Sequence, residues 1–351
     1  MQKHGILIVG LGTPNSLDTK DVKDFIKKFL SDKRVIKKQG FAWKMILHGI
    51  ILRKRPKKSA QRYKRIWTDQ GLPILVHAKT QKAHLQALMP NCVVDFAMTY
   101  SNPSIHETLD KMIAQNITHL TVVPLFPQYS STTIDSIFDS IVDYGFFACN
   151  KVCPKKKCAS SGASLEQAGA ALRINMLSLD FPEKTVRLRF ISSFYNNPMY
   201  IEYFANKIKN AADANGADGV LFSFHGLPEQ YVQDGDPYPK QCSDTAHLIM
   251  QAADVNIPFF LGYQSKFGRG KWLEPASNNL AQDLPKKGIK NLLVLAPGFV
   301  ADNLETILEI QEEMAEIFMQ SGGDKFTYIP TFNDDIALAH IVHSIVDTTT
   351  P

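Results

Sequence analysis

The sequence predicts an α/β protein of two doubly wound, parallel-sheet domains facing across a cleft. Three observations predict it. Strand-length apolar runs alternate with longer helical patterns along the whole chain. Several of those runs are apolar on successive residues, as strands covered on both faces must be. The two halves also echo each other. "NITHLTVVPLFPQYSSTT" (116–133) and "GIKNLLVLAPGFVADNLET" (288–306) both run through a strand and a Pro-x-Phe into a polar loop entering a helix.

The expected strands are 6–12, 93–100 and 120–126 in the first half, and 186–194, 219–225, 258–265 and 291–299 in the second. Between them, 3.6-residue periodicity predicts helices at 18–31, 76–89, 104–116, 199–214, 243–253, 302–320 and 334–347. "CNKVCPKKKCASSGASLEQAGAA" (149–171) breaks the apolar rhythm with Lys, Ser, Ala and Gly. The expected division is therefore a first domain at 1–148, a linker or insertion at 149–180, a second domain at 181–332 and a final helix, 333–351, packing back on the first.

The chain has 351 residues, 44% of them hydrophobic, enough for two cores. A charged fraction of 21% and a net charge of +5 exclude a disordered chain and are too weak to point to nucleic acid. They suit an anionic small molecule or an anionic membrane surface. No apolar run approaches the roughly 18 residues of a membrane span. The opening "MQKHGILIVGLGTP" runs straight into a Gly-rich turn, so it reads as a first strand and not as a signal peptide. The expected compartment is the cytoplasm. Five cysteines, an odd number, argue against a disulfide framework there.

Four stretches could carry chemistry. In "VLFSFHGLPEQYVQDGDPY" (220–238) a strand delivers His225 where the chain must turn. Ligands bind beyond the carboxyl ends of strands in such sheets, so His225 is a candidate base or metal ligand as well as a satisfied strand cap. In "GFVADNLETILEIQEEM" (298–314), Asp302, Glu305, Glu309 and Glu313 fall within roughly an 80° arc of a helix. That face is either solvated or a carboxylate path for a divalent cation. "GFAWKMILHGIILRKRPKK" (40–58) is either a core helix followed by a basic solvated loop, or an amphipathic lip for a membrane or greasy ligand. Cys149, Cys153 and Cys158 lie in one short lysine-rich segment, with Cys242 or Cys92 as a distant fourth thiol for zinc or an iron–sulfur cluster. The turn "GLGTP" (10–14) has Asn15 where a dinucleotide fingerprint would want a third glycine.

Taken together, "FSFHGLP…GDPYPKQC", "APGFVADNLETILE", "VPLFPQYSSTT", "MTYSNPSI", "YQSKFGRGKWLEP" and the opening "GLGTP" resemble the ferrochelatase family, in order and over nearly the whole chain. The resemblance implies a chelatase-type fold of two Rossmann-like halves and insertion of ferrous iron into a porphyrin, expected to be protoporphyrin IX, although coproporphyrin is not distinguished. It implies His225 and Glu305 as the central pair, with Asp302, Glu309 and Glu313 as supporting acids. Whether His225 is base or first iron ligand stays open. It further implies a porphyrin lip at 40–58 and contacts near the macrocycle from Tyr63, Lys54, Arg55, Tyr100 and Tyr263. The lip could touch the inner face of a membrane. The 149–158 insertion is similar to the internal cysteines of members that carry a [2Fe–2S] cluster, with Cys242 as the preferred fourth ligand. Three positions depart from the family. Thr99 stands where an Arg precedes the tyrosine, Asn303 where a histidine is often found, and Tyr263 where some members have Trp. The rival readings are another tetrapyrrole chelatase, for cobalt or sirohydrochlorin, and a porphyrin or metal carrier without turnover.

Overall fold

The computed structural model describes residues 3–152, 175–181, 184–268 and 270–347. They cluster into two compact units. One holds the chain up to Phe126, Ser130–Ser193 and the stretch from Val342; the other holds Pro127–Tyr129 and Phe194–Ile341.

The first unit is built on β1 (His4–Gly10), flanked in sequence by α1 (Thr19–Leu30) and a long helical segment. That segment comprises α2 (Phe41–Ile46), a π-helical turn (Leu47–Ile51) and α3 (Leu52–Ile66). It continues through α4 (Pro73–Leu88), β2 (Val93–Met98), α5 (Ile105–Ala114), β3 (His119–Pro124) and α6 (Ile134–Val152) to β4 (Asn175–Phe181) and β5 (Lys184–Phe190). The sheet order is β2-β1-β3-β5-β4. The first four strands run parallel, and β4 pairs antiparallel with β5 at the edge. Ile6, Leu7, Ile8 and Val9 are all buried, as an unbroken apolar run in a central parallel strand requires.

The second unit comprises α7 (Pro198–Asn215), β6 (Gly219–His225), α8 (Glu229–Gln233), α9 (Tyr238–Ala253), β7 (Phe259–Gln264) and α10 (Ser277–Asp283). It continues through β8 (Asn291–Leu295), a π-helix (Glu305–Met314), α11 (Ala315–Gln320) and β9 (Lys325–Ile329) into α12 (Ala337–Asp347). Its sheet is all parallel in the order β7-β6-β8-β9. Leu221, Leu292 and Val294 pack with Ile310, Met314 and Phe318 of the helical stretch that follows β8. Both sheets thus place their parallel strands in the same order, second-first-third-fourth. In such sheets the ligand crevice opens at the carboxyl ends where the order reverses, here between β1 and β3 and between β6 and β8.

Several elements differ from the sequence reading. That reading begins the second half at 181, but β5 pairs with β3 and the first unit runs to Ser193. Strand β4 breaks the expected all-parallel pattern. Strand β9, "KFTYI", was hidden by its polar residues because it is a half-exposed edge. Helix α6 is the helix that the polar loop after β3 enters, with Ile134, Ile137, Phe138 and Ile141 buried at helical spacing. The cations after Leu52 lie on a helix, not in a loop. From Val342, α12 belongs with the first unit, where the buried Arg189 donates to the carbonyls of Ile345 and Val346 at 3.2 Å each.

Candidate active site

Strand β6 fixes the histidine. Val220 to Phe224 are buried between β7 and β8, and His225 is the first exposed residue of the strand. Directly after it, the Gly226 N–H donates to the Gln264 carbonyl at 2.8 Å, and a Cβ at Gly226 would sit 2.8 Å from that same oxygen. Only glycine fits this approach. The His225 ring lies with Nδ1 2.8 Å from the Gly226 carbonyl. A carbonyl only accepts, so Nδ1 carries the proton and Nε2 presents its lone pair. No described residue hydrogen-bonds to Nε2. A neutral imidazole held this way is ready to take a proton or a metal ion.

Strand β8 fixes the carboxylates. Its Leu295 is in register with Phe222 of β6, so the two strands end at the same edge. The chain then turns into the π-helix through a local cap. Asn303 Oδ1 accepts from the N–H groups of Glu305 (2.9 Å) and Thr306 (3.1 Å), while the Asn303 N–H donates back to Thr306 Oγ1 at 3.0 Å. This is the reciprocal pattern of a capping box, and it places Glu305 at the positive end of the helix. The Glu305 carboxylate, half-buried, hydrogen-bonds to no described residue.

Asp302 is used differently. Its carboxylate accepts from Thr306 Oγ1 (2.8 Å), the Tyr328 hydroxyl (2.7 Å) and Asn333 Nδ2 (2.6 Å), and its own N–H donates to Asn333 Oδ1 at 2.7 Å. Burial first, and then Asp302 itself, push the Tyr328 phenol well above its ordinary value, so Tyr328 stays a donor. Asp302 ties the π-helix to β9 and to the loop after it. Glu309 and Glu313 follow Glu305 at four-residue steps, both half-buried. Such a step overshoots a turn of α-helix slightly and falls short of a turn of the wider π-helix, so the three glutamates share a side of either. Ser265, just past β7, donates to Glu309 Oε2. Among the described residues no group of three or more His, Cys, Asp or Glu side chains is placed to hold an ion. The acids form a row and not a cage.

The first unit places the other expected contacts. Lys54 and Arg55 are exposed on α3, and Tyr63 is partly buried there. Helix α3 carries Arg53, Lys54, Arg55, Lys57, Lys58, Arg62, Lys64 and Arg65 and no acid. Ahead of it Phe41, Met45, Ile46 and Ile50 are exposed, Phe41 at 81%. The π turn explains how one segment does both. Leu47 and Leu52, five residues apart, are both buried, a spacing an α-helix would splay onto different faces. Trp43 Nε1 anchors the segment on the Leu30 carbonyl at 3.1 Å. Tyr100 is not a surface contact. It is 5% exposed and its hydroxyl donates to Asp32 Oδ2 at 2.7 Å. The turn "GLGTP" is explained by geometry: Gly12 has φ +100° and its missing Cβ would clash with Ser101.

In the second unit Tyr263 is buried, and burial, with Cys242 nearby, raises its phenol. Cys242 is 0% exposed within α9. Burial pushes its thiol well up despite a hydrogen bond from Tyr238. A cluster ligand is a thiolate, so Cys242 in its expected place as fourth ligand would have to ionise against its burial. Cys153, Cys158 and the Cys149 side chain lie outside the described residues, and Cys92 sits apart, before β2.

A model of the family described as ferrochelatase matches residues 3–146 and 147–350. A coproporphyrin III ferrochelatase of Enterococcus faecalis is 42% identical over 346 residues, 99% of each chain. The chain belongs to the ferrochelatase family. It is a lyase that inserts ferrous iron, its substrate, into a porphyrin. A ferrochelatase of Idiomarina loihiensis is 38% identical over 94% of this chain and 84% of that one. Among solved structures, SirB from Bacillus subtilis with Fe3+ shares the fold with a TM-score of 0.54 at 12% identity, covering 99% of this chain and 96% of that one. No helix of the described residues is long and apolar enough to cross a membrane.

The sequence reading missed four residues that build this site. Asn303 stood out there as a missing histidine, but the spacing Asn-x-x-Thr is a legible capping signal. Tyr328, Asn333 and Ser265 carried no local signal, because their partners are distant in the chain.

Proposed function

We propose that His225 and Glu305 are the reacting pair and that coproporphyrin III is the preferred porphyrin. What carries the first part is one observation. The His225 Nε2 lone pair, at the end of β6, and the Glu305 carboxylate, at the start of the helix that follows the adjacent β8, hydrogen-bond to no described residue, while the neighbouring Asp302 accepts three hydrogen bonds. A free porphyrin must lose two pyrrole protons as iron binds its four nitrogens. Nε2 accepts a proton because Nδ1 is already committed as a donor. Glu305 takes the second proton or hands over iron, a hard carboxylate being a weak and replaceable ligand. Glu309 and Glu313 continue the row. Asp302 serves by holding the helix in place.

The preference for coproporphyrin rests on the Enterococcus faecalis and Lactococcus lactis relatives, both described as coproporphyrin III ferrochelatases, and on the acid-free, cation-rich α3, which suits a ring with four propionates. Protoporphyrin IX is the second reading, favoured by the exposed Phe41, Met45, Ile46 and Ile50. The same apolar residues beside cations suit peripheral contact with an anionic membrane, at its cytoplasmic face. Anaerobic metallation of both porphyrins with ferrous iron decides the substrate by the ratio of kcat/KM. His225→Ala should lose metallation of either, and undiminished turnover in that variant would overturn the assignment. Iron binding measured without porphyrin separates the roles: unchanged affinity in His225→Ala makes the histidine the base, lost affinity makes it the first ligand. Sedimentation with phosphatidylglycerol vesicles tests the membrane contact.

A further inference from the structure

Four described residues other than glycine have positive φ: Asn116, Asp254, Ser265 and Asn333. Asn and Asp tolerate the left-handed region through their short polar side chains. Ser265, at φ 63°, is the exception. It follows the last residue of β7, at the carboxyl edge where β6 ends in His225, and Gln264 is the register partner of His225. A residue held in an unfavoured conformation where glycine would fit more easily is there for its side chain. That side chain donates to Glu309 Oε2.

We propose that Ser265 is a positioning residue for iron delivery. It fixes the orientation of Glu309, one helical step beyond Glu305, so that the carboxylate faces the path by which ferrous iron reaches the pair. Three links support this. The strand edge presenting His225 is the edge from which Ser265 reaches the π-helix. The hydroxyl bonds to a carboxylate, which makes the contact stronger than one between neutral groups. Ile310 and Met314 pack the π-helix on the core, which holds in place the element that carries Glu305 and Glu309. The inference rests on the reading of Glu305 and Glu309 as acids on the iron path.

The test separates the hydroxyl from the backbone. Ser265→Gly removes the hydroxyl and suits φ 63°, and Ser265→Asn suits that backbone while restoring a side-chain donor. Steady-state metallation would be measured against ferrous iron and against porphyrin, in each variant and in Glu309→Gln. Ser265→Gly should raise the KM for iron roughly tenfold, the low end of what a hydrogen bond to a charged group is worth, and leave the KM for porphyrin within twofold. Ser265→Asn should recover most of the loss. In the Glu309→Gln background Ser265→Gly should add nothing further, because both changes act through one contact. If Glu309→Gln raises the iron KM and Ser265→Gly does not, the positioning proposal fails alone. If Glu309→Gln leaves the iron KM unchanged, the underlying reading of the acids fails with it. Additive losses in the double variant, or no recovery with asparagine, would also overturn the role given to Ser265.

Discussion

Replacing Asp302 by alanine should damage the fold before it damages the chemistry. Asp302 is 8% exposed, and its carboxylate accepts three hydrogen bonds, from Thr306, Tyr328 and Asn333. Alanine leaves all three donors without their acceptor. Thr306 has a fallback, since its hydroxyl already lies 3.4 Å from the Asn303 carbonyl. The Tyr328 hydroxyl also has Thr306 beside it, but the Thr306 hydroxyl loses its own acceptor in the same variant. A stranded buried donor costs about 1–3 kcal/mol, so two of them plus the weakened Thr306 come to roughly 3–5 kcal/mol. Against a native stability of about 5–15 kcal/mol that is a large share, and it corresponds to a fall in Tm of roughly 10 °C. Asp302→Asn keeps the volume and one acceptor oxygen and should cost less than half as much. Urea unfolding followed by far-UV circular dichroism measures both, with iron metallation assayed at a temperature where each variant stays folded. An alanine variant as stable as wild type within about 1 kcal/mol, yet inactive, would refute this reasoning and return Asp302 to the iron path as a reacting acid.

Three further outcomes are expected. Tyr100→Phe removes the hydroxyl bonded to Asp32 and should lower stability by about 1–2 kcal/mol with the porphyrin KM unchanged; a raised KM at unchanged Tm would make Tyr100 a substrate contact after all. Leu47→Ala, at a buried position under the π turn, should cost about 2–4 kcal/mol, whereas Phe41→Ser should leave Tm alone and weaken vesicle binding; equal effects on Tm would remove the distinction between the two faces. Burial, then His119 and Arg189, hold His4 below its ordinary value of 6.5. The unfolded chain therefore takes up a proton that the folded chain resists, so His4 contributes fully above about pH 6.5 and the contribution is lost as pH falls towards the folded value. His4→Gln should flatten that fall in a Tm series from pH 7.5 to 5.5, and an unchanged slope would count against it.

The sequence showed the fold wherever burial left a one-dimensional trace. Val220 to Phe224 and Ile6 to Val9 are covered on both faces, so their apolar runs announced parallel strands. Strand β9 did not announce itself, because an edge strand with one wet face has room for Lys325, Thr327 and Tyr328. His225 stood out as a candidate for a similar reason: it ends a buried strand, and a strand's end says where its last residue points, while Glu305 stood out as part of an acidic row at helical spacing after β8. The role of Asp302 was not legible. It looked like one more acid in a helical row. Its meaning depends on Tyr328 and Asn333, which lie 26 and 31 residues further on. The bond from Tyr100 to Asp32 was illegible in the same way, since Asp32 lies 68 residues earlier. Periodicity reports which side of an element is wet, and it is silent on contacts closed by tertiary structure.

The bond between His225 and the carbonyl of Gly226 makes the choice of reactive nitrogen a property of a peptide plane. In many sites a carboxylate orients the imidazole, and exchanging that carboxylate tunes it. Here the orienting atom belongs to the main chain and cannot be mutated away or titrated. The tautomer is set by a group whose protonation never changes, but it is exposed to any twist of one turn. Gly226→Ala, which forces the chain off the Gln264 carbonyl, would thus reset the imidazole without touching it. Scanning the side chains around the site one at a time would never find the group that sets its polarity.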